Sequence, residues 1–577
     1  MTKSLDRAVV ALLCVCLSAA VVAGASEHLA IAAAGDELTA VSPDGSVIWK
    51  VRLADSVVLA RPYGVDGTIV LDNGVAIDQF GRVCARRHDL GDGGDTWGGY
   101  GRGACPYWSA LAQITRPSGS GESNSHQVPL FDSQGNAWVI NTHLLSGDYE
   151  LQIRRSNGHD GTWGPLETIS DTTNYVAGPE GAIDLDDNIT IVFRDISGGY
   201  KLYAMRYEPD LGWAGPQLVY STPTFFQAIE IGVDYEGNVA AIFDPADGVW
   251  SAIYDASSGT WGSGHQVSPV GYDTMLPTVV GNPAGGGLYL IYRVTSGGPP
   301  GLYAHRFDTT AKAWGAAEFL PGTSTVSFSG AGPASRYPAT VDPFGEATVF
   351  WQSGSPCGVY ASRTEAGIWQ SAHELLAPGP YSADMENFAH AESSEFGDAF
   401  GTITRYESGS VHFYAFRYRA GSGWDEPENP YTYPFNITTR SRIAPYRGAH
   451  SVATLFAPQG GTPQLTSLLY DRSVWSSELL DIPESWPAFM QEIKADQGEP
   501  LLVFEAEELI GDNFGIWATW LRNLPGDMDG DGDVDLSDLA SLLASYNLDE
   551  GGDVDGDGDT DLSDLAGLLA NYGQVCP

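Results

Sequence analysis

Tyr203-Ala204-Met205-Arg206 leads through a turn to Trp213, and the same phrase recurs down the chain. It returns as Tyr303-Ala304-His305-Arg306 before Trp314, Tyr360-Ala361-Ser362-Arg363 before Trp369, and Tyr414-Ala415-Phe416-Arg417 before Trp424. Fainter copies end at Trp163, Trp261, Trp475 and Trp520, so successive tryptophans stand 50, 48, 53, 55, 55, 51 and 45 residues apart. Half a repeat before the tryptophan comes a second phrase, an Asp, a short turn, a Gly and an apolar run. It spans Asp132 to Gly135-Asn136, Asp234 to Gly237-Asn238, Asp342 to Gly345-Glu346 and Asp496 to Gly498-Glu499. In the copy from Asp184 to Asn188, Asp187 stands where the glycine is expected. A turn of this kind between β-rich runs reads as a hairpin. Runs such as Ile189-Thr190-Ile191-Val192-Phe193 and Ala347-Thr348-Val349-Phe350-Trp351 have the β-branched and aromatic content of strands.

A period near fifty residues with about four short strands per unit predicts a mainly-β fold, a β-propeller of seven or eight blades. A single blade cannot bury both of its faces, so neighbours must cover it and the ring must close. The expected extent is 26–520, with 111–520 holding the eight Trp-marked repeats and 26–110 forming N-terminal strands or an extra blade. Within that early segment, Leu38 to Gly45 and Ala76 to Gly81 resemble strand-turn units of quinoprotein-like propellers. Ser156-Asn157-Gly158-His159-Asp160-Gly161-Thr162-Trp163 resembles the Asp box of sialidase-like propellers, with Asp and Gly exchanged. Asp255 to Trp261 is a partial second copy.

The 577 residues include 70 Gly, and 43% are hydrophobic, enough for an extensive core with many turns. The formal charge of −44 repels phosphate backbones, and no basic footprint for nucleic acid is present. Lys3 and Arg7, an apolar run from Ala8 to Val22 and Ala23-Gly24-Ala25 read as a signal peptide over 1–25, which predicts secretion. No later run is long and apolar enough for a membrane span. Cys84, Cys105, Cys357 and Cys576 remain after cleavage and allow three pairings. Cys84 with Cys105 is the one expected, stapling the glycine-rich loop between them.

The last fifty residues are of another kind. From Asp527 onward the chain carries fourteen Asp or Glu and no Lys or Arg. Asp527, Asp529, Asp531, Asp533, Asp535 and Asp538 fall at positions 1, 3, 5, 7, 9 and 12 of a calcium loop, with Gly532 at the sharp bend. Twenty-six residues later Asp553, Asp555, Asp557, Asp559, Asp561 and Asp564 repeat the pattern around Gly558. A hard cation needs such a ring of oxygens, so two Ca2+ ions are expected. A helix should follow each loop, the first with Leu539, Leu542, Leu543 and Tyr546 on its apolar face and the second with Leu565, Leu568, Leu569 and Tyr572 on its own, and the two faces are expected to pack on each other.

A duplicated loop and helix with Asp at position 12 and no entering helix resembles a type I dockerin over 526–577, joined by a short linker at 521–525. The resemblance implies a cohesin-like or other extracellular protein partner, met through late-loop positions that are here Leu536-Ser537 and Leu562-Ser563. It also implies a glycan-directed propeller, because dockerins accompany proteins that act on polysaccharides. The alternative role for the tail is a calcium-dependent cap or sorting tag.

Six strand-end positions in successive repeats are candidates for a channel site: Arg194, Asp244, Arg293, Gln352, Arg405 and Glu505. Convergent arginines would grip a carboxylate, and Asp244 with Glu505 would serve acid-base glycoside chemistry. Arg206, Arg306, Arg363 and Arg417 recur with the repeat and are expected to pack on aromatic rings or pair with acids. HExxH, GxSxG, Walker and CxxC motifs are absent from the sequence. The reading is a glycan-binding propeller. The alternatives are a polysaccharide-degrading enzyme, a glycoside hydrolase or a lyase, and a non-catalytic surface scaffold.

Overall fold

The computed structural model describes the strands between residues 21 and 98, residues 107–109 and 111–115, and most of 122–522. It also describes 526–528, 534–547 and 560–573, with Gly552 and Val554. Its centre is a ring of eight antiparallel sheets, or blades. The innermost strands, in ring order, are Glu122–Phe131, Val176–Ile183, Phe226–Val233, Asp273–Asn282, Ala339–Val341, His390–Ser393, Ser441–Tyr446 and Ala488–Asp496. Each packs against the next and the eighth packs against the first, so the ring closes. Each blade then steps outward through a second, third and outer strand in sequence order. The fold is a β-propeller.

Closure uses both ends of the ring sequence. The last blade has only three strands from its own repeat, ending in Phe514–Arg522. Its outer edge is supplied by Tyr107–Trp108 and Ala112–Gln113. Ile114 is fully buried there against Val503 and Trp520. Of the two roles expected for 26–110, N-terminal strands or an extra blade, the strands from 21 to 98 add no blade to the ring, since among the described residues they pair only among themselves in two separate sheets. One expectation is corrected: Trp520 is not the eighth marker tryptophan. Trp213 lies on an outer strand opposite Tyr207, and the position opposite the matching Leu521 is Trp108.

The repeating phrases are the packing rules of the blades. Asp132, Asp184, Asp234 and Asp342 each accept backbone N–H bonds from residues two and four further on, which tightens the hairpin. The turn needs a left-handed residue, and Gly135, Gly237 and Gly345 supply it. Asp187 takes the same conformation in the second blade and uses its carboxylate to accept two 2.7 Å hydrogen bonds from Ser133 of the first. The recurrent arginines close the other side of this corner. Arg206 binds Asp184 at 2.8 Å and lies 4.8 Å from the Tyr254 ring of the next blade. Arg363 binds Asp342 and stacks on Tyr418 in the same way.

The tail contains helix α1, Leu536–Ser545, and helix α2, Leu562–Asn571. Each opens on a capping box, Asp535 with Asp538 and Asp561 with Asp564. Leu542, Leu568 and Val534 form the small core, flanked by Leu539, Leu565 and Tyr546. Leu543, Leu569 and Tyr572 were expected in that core but are about half exposed. A ten-residue helix touching its partner along one line buries about one residue per turn, and the rest of the apolar face is left outside.

Candidate ligand site between the last and first blades

Side chains along a strand alternate between the faces of its blade, so register fixes which neighbour each one meets. On the second and third strands one cross-strand pair sits just inside the end of the blade where the second strand finishes. In most blades that pair is apolar and aromatic: Phe193 with Tyr203, Phe243 with Trp250, Tyr292 with Tyr303, Trp351 with Tyr360, Ile403 with Tyr414 and Phe504 with Trp517. Three of these pairs are stacked at centroid distances of 5.9, 6.1 and 6.2 Å. Blade seven has Leu455 with Thr466. Blade one has two amides, Asn141 with Gln152.

Both amides are more than nine-tenths buried, at 0% and 6% exposure. Asn141 Nδ2 donates to Asn124 Oδ1 at 3.2 Å, and Asn141 Oδ1 is buried without a partner among the described residues. Gln152 Oε1 is likewise buried and unpartnered. One step further along the same face, His143 stands opposite Glu150. Glu150 Oε1 accepts from Gln152 Nε2 at 2.8 Å and from Thr168 Oγ1 at 3.3 Å, and His143 Nδ1 lies 3.0 Å from it. No described donor reaches Glu150 Oε2. This face of blade one looks toward blade eight, because the preceding residues on it, Ala137 and Val139, pack on Leu501, Val503 and Ile516. The interface thus begins apolar and ends in buried polar groups.

Glu505 forms part of the opposite wall, two residues beyond Val503 on the same face. Its Oε1 accepts a 3.1 Å hydrogen bond from the backbone N–H of His126, which takes a left-handed φ of 58° in a bulge of the first inner strand. Burial, together with the positive charge of Arg194, holds the His126 imidazole below its usual pKa. Glu505 and His126 come from neighbouring blades, and the charge of Arg194 on the blade after them is felt at His126.

The candidates do not converge on a single point, and those of blades two, three and eight reach backbone groups of inner-strand bulges. Arg194 Nη1 donates to Phe226 O at 3.3 Å, and Asp244 Oδ1 accepts from Ala228 N at 2.6 Å. Arg293 lies against Tyr337 at the entrance to the next blade. Gln352 is half-buried on the fifth blade. Arg405 is one residue out of register, Thr404 holding the equivalent place, and it pairs with Glu407 at 3.1 Å on its own strand. A bulge frees backbone groups that need partners, and this position is the nearest that can supply one.

A second polar cluster lies where blades six, seven and eight approach the axis. Arg442 grips Glu492 with two hydrogen bonds of 3.0 and 2.8 Å. Lys494 lies 3.6 Å from Glu392, and His390 hydrogen-bonds the backbone of Ile443. Lys494 is about half exposed while His390 is largely covered, and burial with the nearby Arg442 charge depresses His390 to about 3.

In the tail, Asp527, Asp535, Asp538, Asp561 and Asp564 are the predicted ligands within the described residues. Asp529, Asp531, Asp533, Asp553, Asp555, Asp557 and Asp559 lie outside them, as do the side chains of all four remaining cysteines. Asp538 and Asp564 are fully buried. Each accepts backbone N–H bonds from the second and ninth loop residues, at 2.6 and 2.7 Å. Among the described residues no group of three or more His, Cys, Asp or Glu closes on one point.

Neither a family model nor a curated protein matches this chain. Solved structures do. An ulvan lyase of polysaccharide lyase family PL25 aligns at 12% identity and a TM-score of 0.37, over 66% of this chain and 97% of its own. The lectin BP39L of Burkholderia pseudomallei aligns at 12% identity and 0.42, over 63% and 98%. The Dos1 propeller aligns at 10% identity and 0.40, over 71% and 95%. The class assignment rests on the strand order and ring closure of this chain itself: it is a β-propeller followed by a two-helix tail.

Proposed function

We propose that this is a secreted calcium-binding protein whose propeller binds an extracellular glycan in the slot between blades eight and one. The carrying observation is the replacement of an aromatic pair by Asn141 and Gln152, buried with two carbonyl oxygens unpartnered. Each such group costs about 1–3 kcal/mol unless something donates to it. Sugar hydroxyls are suitable donors, and the amides lie just inside the end of the blade where the second strand finishes. The polysaccharide lyases and lectins among the structural neighbours are compatible with this reading but do not carry it.

For the tail, the support is chemical. Two fully buried carboxylates require compensating charge, and the sequence arranges ten more around them at calcium-loop spacing. Asp527, Asp529, Asp531, Asp535 and Asp538 would hold one Ca2+ by their carboxylates with the Asp533 carbonyl, and the second loop would do the same. The ion supplies charge neutralisation that locks each loop onto its helix. Leu536, Leu543, Leu562 and Leu569 stand exposed at matching places on the two helices, which suits a protein partner.

A second reading, polysaccharide cleavage, is favoured by one observation: His143 and Glu150 form a close imidazole–carboxylate pair beside the slot. The test is to incubate the calcium-loaded protein with a polysaccharide panel, scoring retained protein and new reducing ends together. Retention without new ends fits binding. New ends that vanish in E150Q or E505Q fit cleavage. Neither signal on any polymer refutes both and leaves a scaffold for protein contacts.

A further inference from the structure

The slot is selective in the kind of hydrogen bond it offers. Three of its atoms lack a described donor: Asn141 Oδ1, Gln152 Oε1 and Glu150 Oε2. All three are acceptors. The Gln152 assignment is fixed by its neighbour, because only Nε2 can donate to the Glu150 carboxylate. Glu150 is also a buried anion with no Lys or Arg paired to it among the described residues, only His143, which is cationic solely when protonated. A carboxylate or sulfate on a ligand has acceptors alone and would face acceptors. A neutral hydroxyl has one proton to give and leaves the Glu150 charge uncompensated. An ammonium group has three donors, no acceptor and a positive charge.

Resting on the glycan reading above, we infer that the slot takes a 2-amino sugar, a hexosamine whose nitrogen is free, and not its N-acetylated or uronate counterpart. The ammonium bonds Glu150 Oε2 and the carbonyls of Asn141 and Gln152. Glu505 lines the blade-eight wall, so its carboxylate adds to the same preference. The long-range field agrees in sign: the chain before the calcium loops carries −30, which draws cationic sugars inward and repels acidic polymers.

The experiment titrates the calcium-loaded full chain, in about 0.15 M salt to screen long-range attraction, with tetramers of glucosamine, N-acetylglucosamine and galacturonate, and with tetralysine. The glucosamine tetramer is expected to bind at least about tenfold tighter than the other three, a difference of one charge-assisted hydrogen bond. E150Q should lose about tenfold or more, while E318Q, which removes the same charge from an exposed site on blade four, should change nothing. N141L/Q152M supplies a variant that keeps the charge and packs like the other blades, and it should also lose binding. Tighter binding of the N-acetylated or uronate tetramer overturns the amino-sugar inference while leaving the glycan reading intact. Equal losses in E150Q and E318Q also overturn it, reducing the effect to net charge. Tetralysine matching the sugar, with the same E150Q sensitivity, assigns the slot to a peptide amine instead. No binding of any saccharide refutes the glycan reading itself.

Discussion

Making the blade-one pair apolar, as it is in most blades, is the most direct probe of why it is polar there. N141L/Q152M replaces the two amides by apolar groups of nearly the same volume, so the backbone has no reason to move. Two unpartnered buried carbonyls disappear, worth about 2 kcal/mol each. The hydrogen bonds from Asn141 to Asn124 and from Gln152 to Glu150 also go, at about 1 and about 2 kcal/mol, the second being charge-assisted. Burying two apolar side chains against the Val139 wall adds about 1 kcal/mol or more. The variant should therefore be about 2 kcal/mol more stable than the parent and unable to retain glycan. Guanidinium unfolding followed by tryptophan fluorescence measures the first, and the polysaccharide panel measures the second. A variant that is less stable by about 1 kcal/mol shows that the amides are satisfied where they stand. A stabilised variant that still retains glycan shows that ligand does not touch them. Either result removes the slot as the binding site.

Further expectations concern the frame around it. R363A strands Asp342, whose side chain is 1% exposed and whose carboxyl is already pushed up by burial, so about 3–5 kcal/mol of stability should be lost in the same denaturation assay. His390 is held neutral in the folded chain at about 3 and titrates near 6.5 when unfolded, so the unfolded state gains a proton first as pH falls. Stability is full above about pH 6.5 and falls by about 2 kcal/mol by pH 5 from this group alone, with Glu392, raised by burial, acting in the opposite sense as it takes up its own proton. H390N should flatten that stretch of the stability–pH profile, and an unchanged slope counts against a buried neutral imidazole. Chelating calcium should cost helical circular dichroism from α1 and α2 and open the tail to protease while the propeller signal stays. Insensitivity of both would remove the calcium assignment.

The fold was readable because its period is carried by residues with structural jobs. The Asp turns, the arginines and the outer-strand tryptophans each recur because every blade must solve the same corner. What escaped was the exception to that pattern. Asn141 and Gln152 sit in one of the faint repeats, where no Tyr-Ala-x-Arg phrase marks the register, and their meaning appears only when they are set beside Phe193 with Tyr203 or Trp351 with Tyr360. Alignment of the repeats by their Asp turns carries that signal, since Asn141 follows Asn136 by the same step that takes Asn188 to Phe193. The strand-end arginines misled for the complementary reason. A position repeated in every blade is spread around a ring, and its members stand apart by symmetry. Trp520 and Trp108 could not be distinguished without knowing that the sheet at the seam is shared between chain ends.

That seam also sets when the binding site comes into being. Blade one emerges early from the ribosome, yet one wall of its slot lies on a strand some 360 residues later, and the outer edge of that last blade is the segment made before blade one itself. A chain arrested anywhere short of residue 522 displays an unmatched flank and no complete recognition surface. The two walls therefore meet only once the last blade has been made, and a single cut that frees the 107–115 edge strand would loosen the blade-eight wall without touching any residue of the slot.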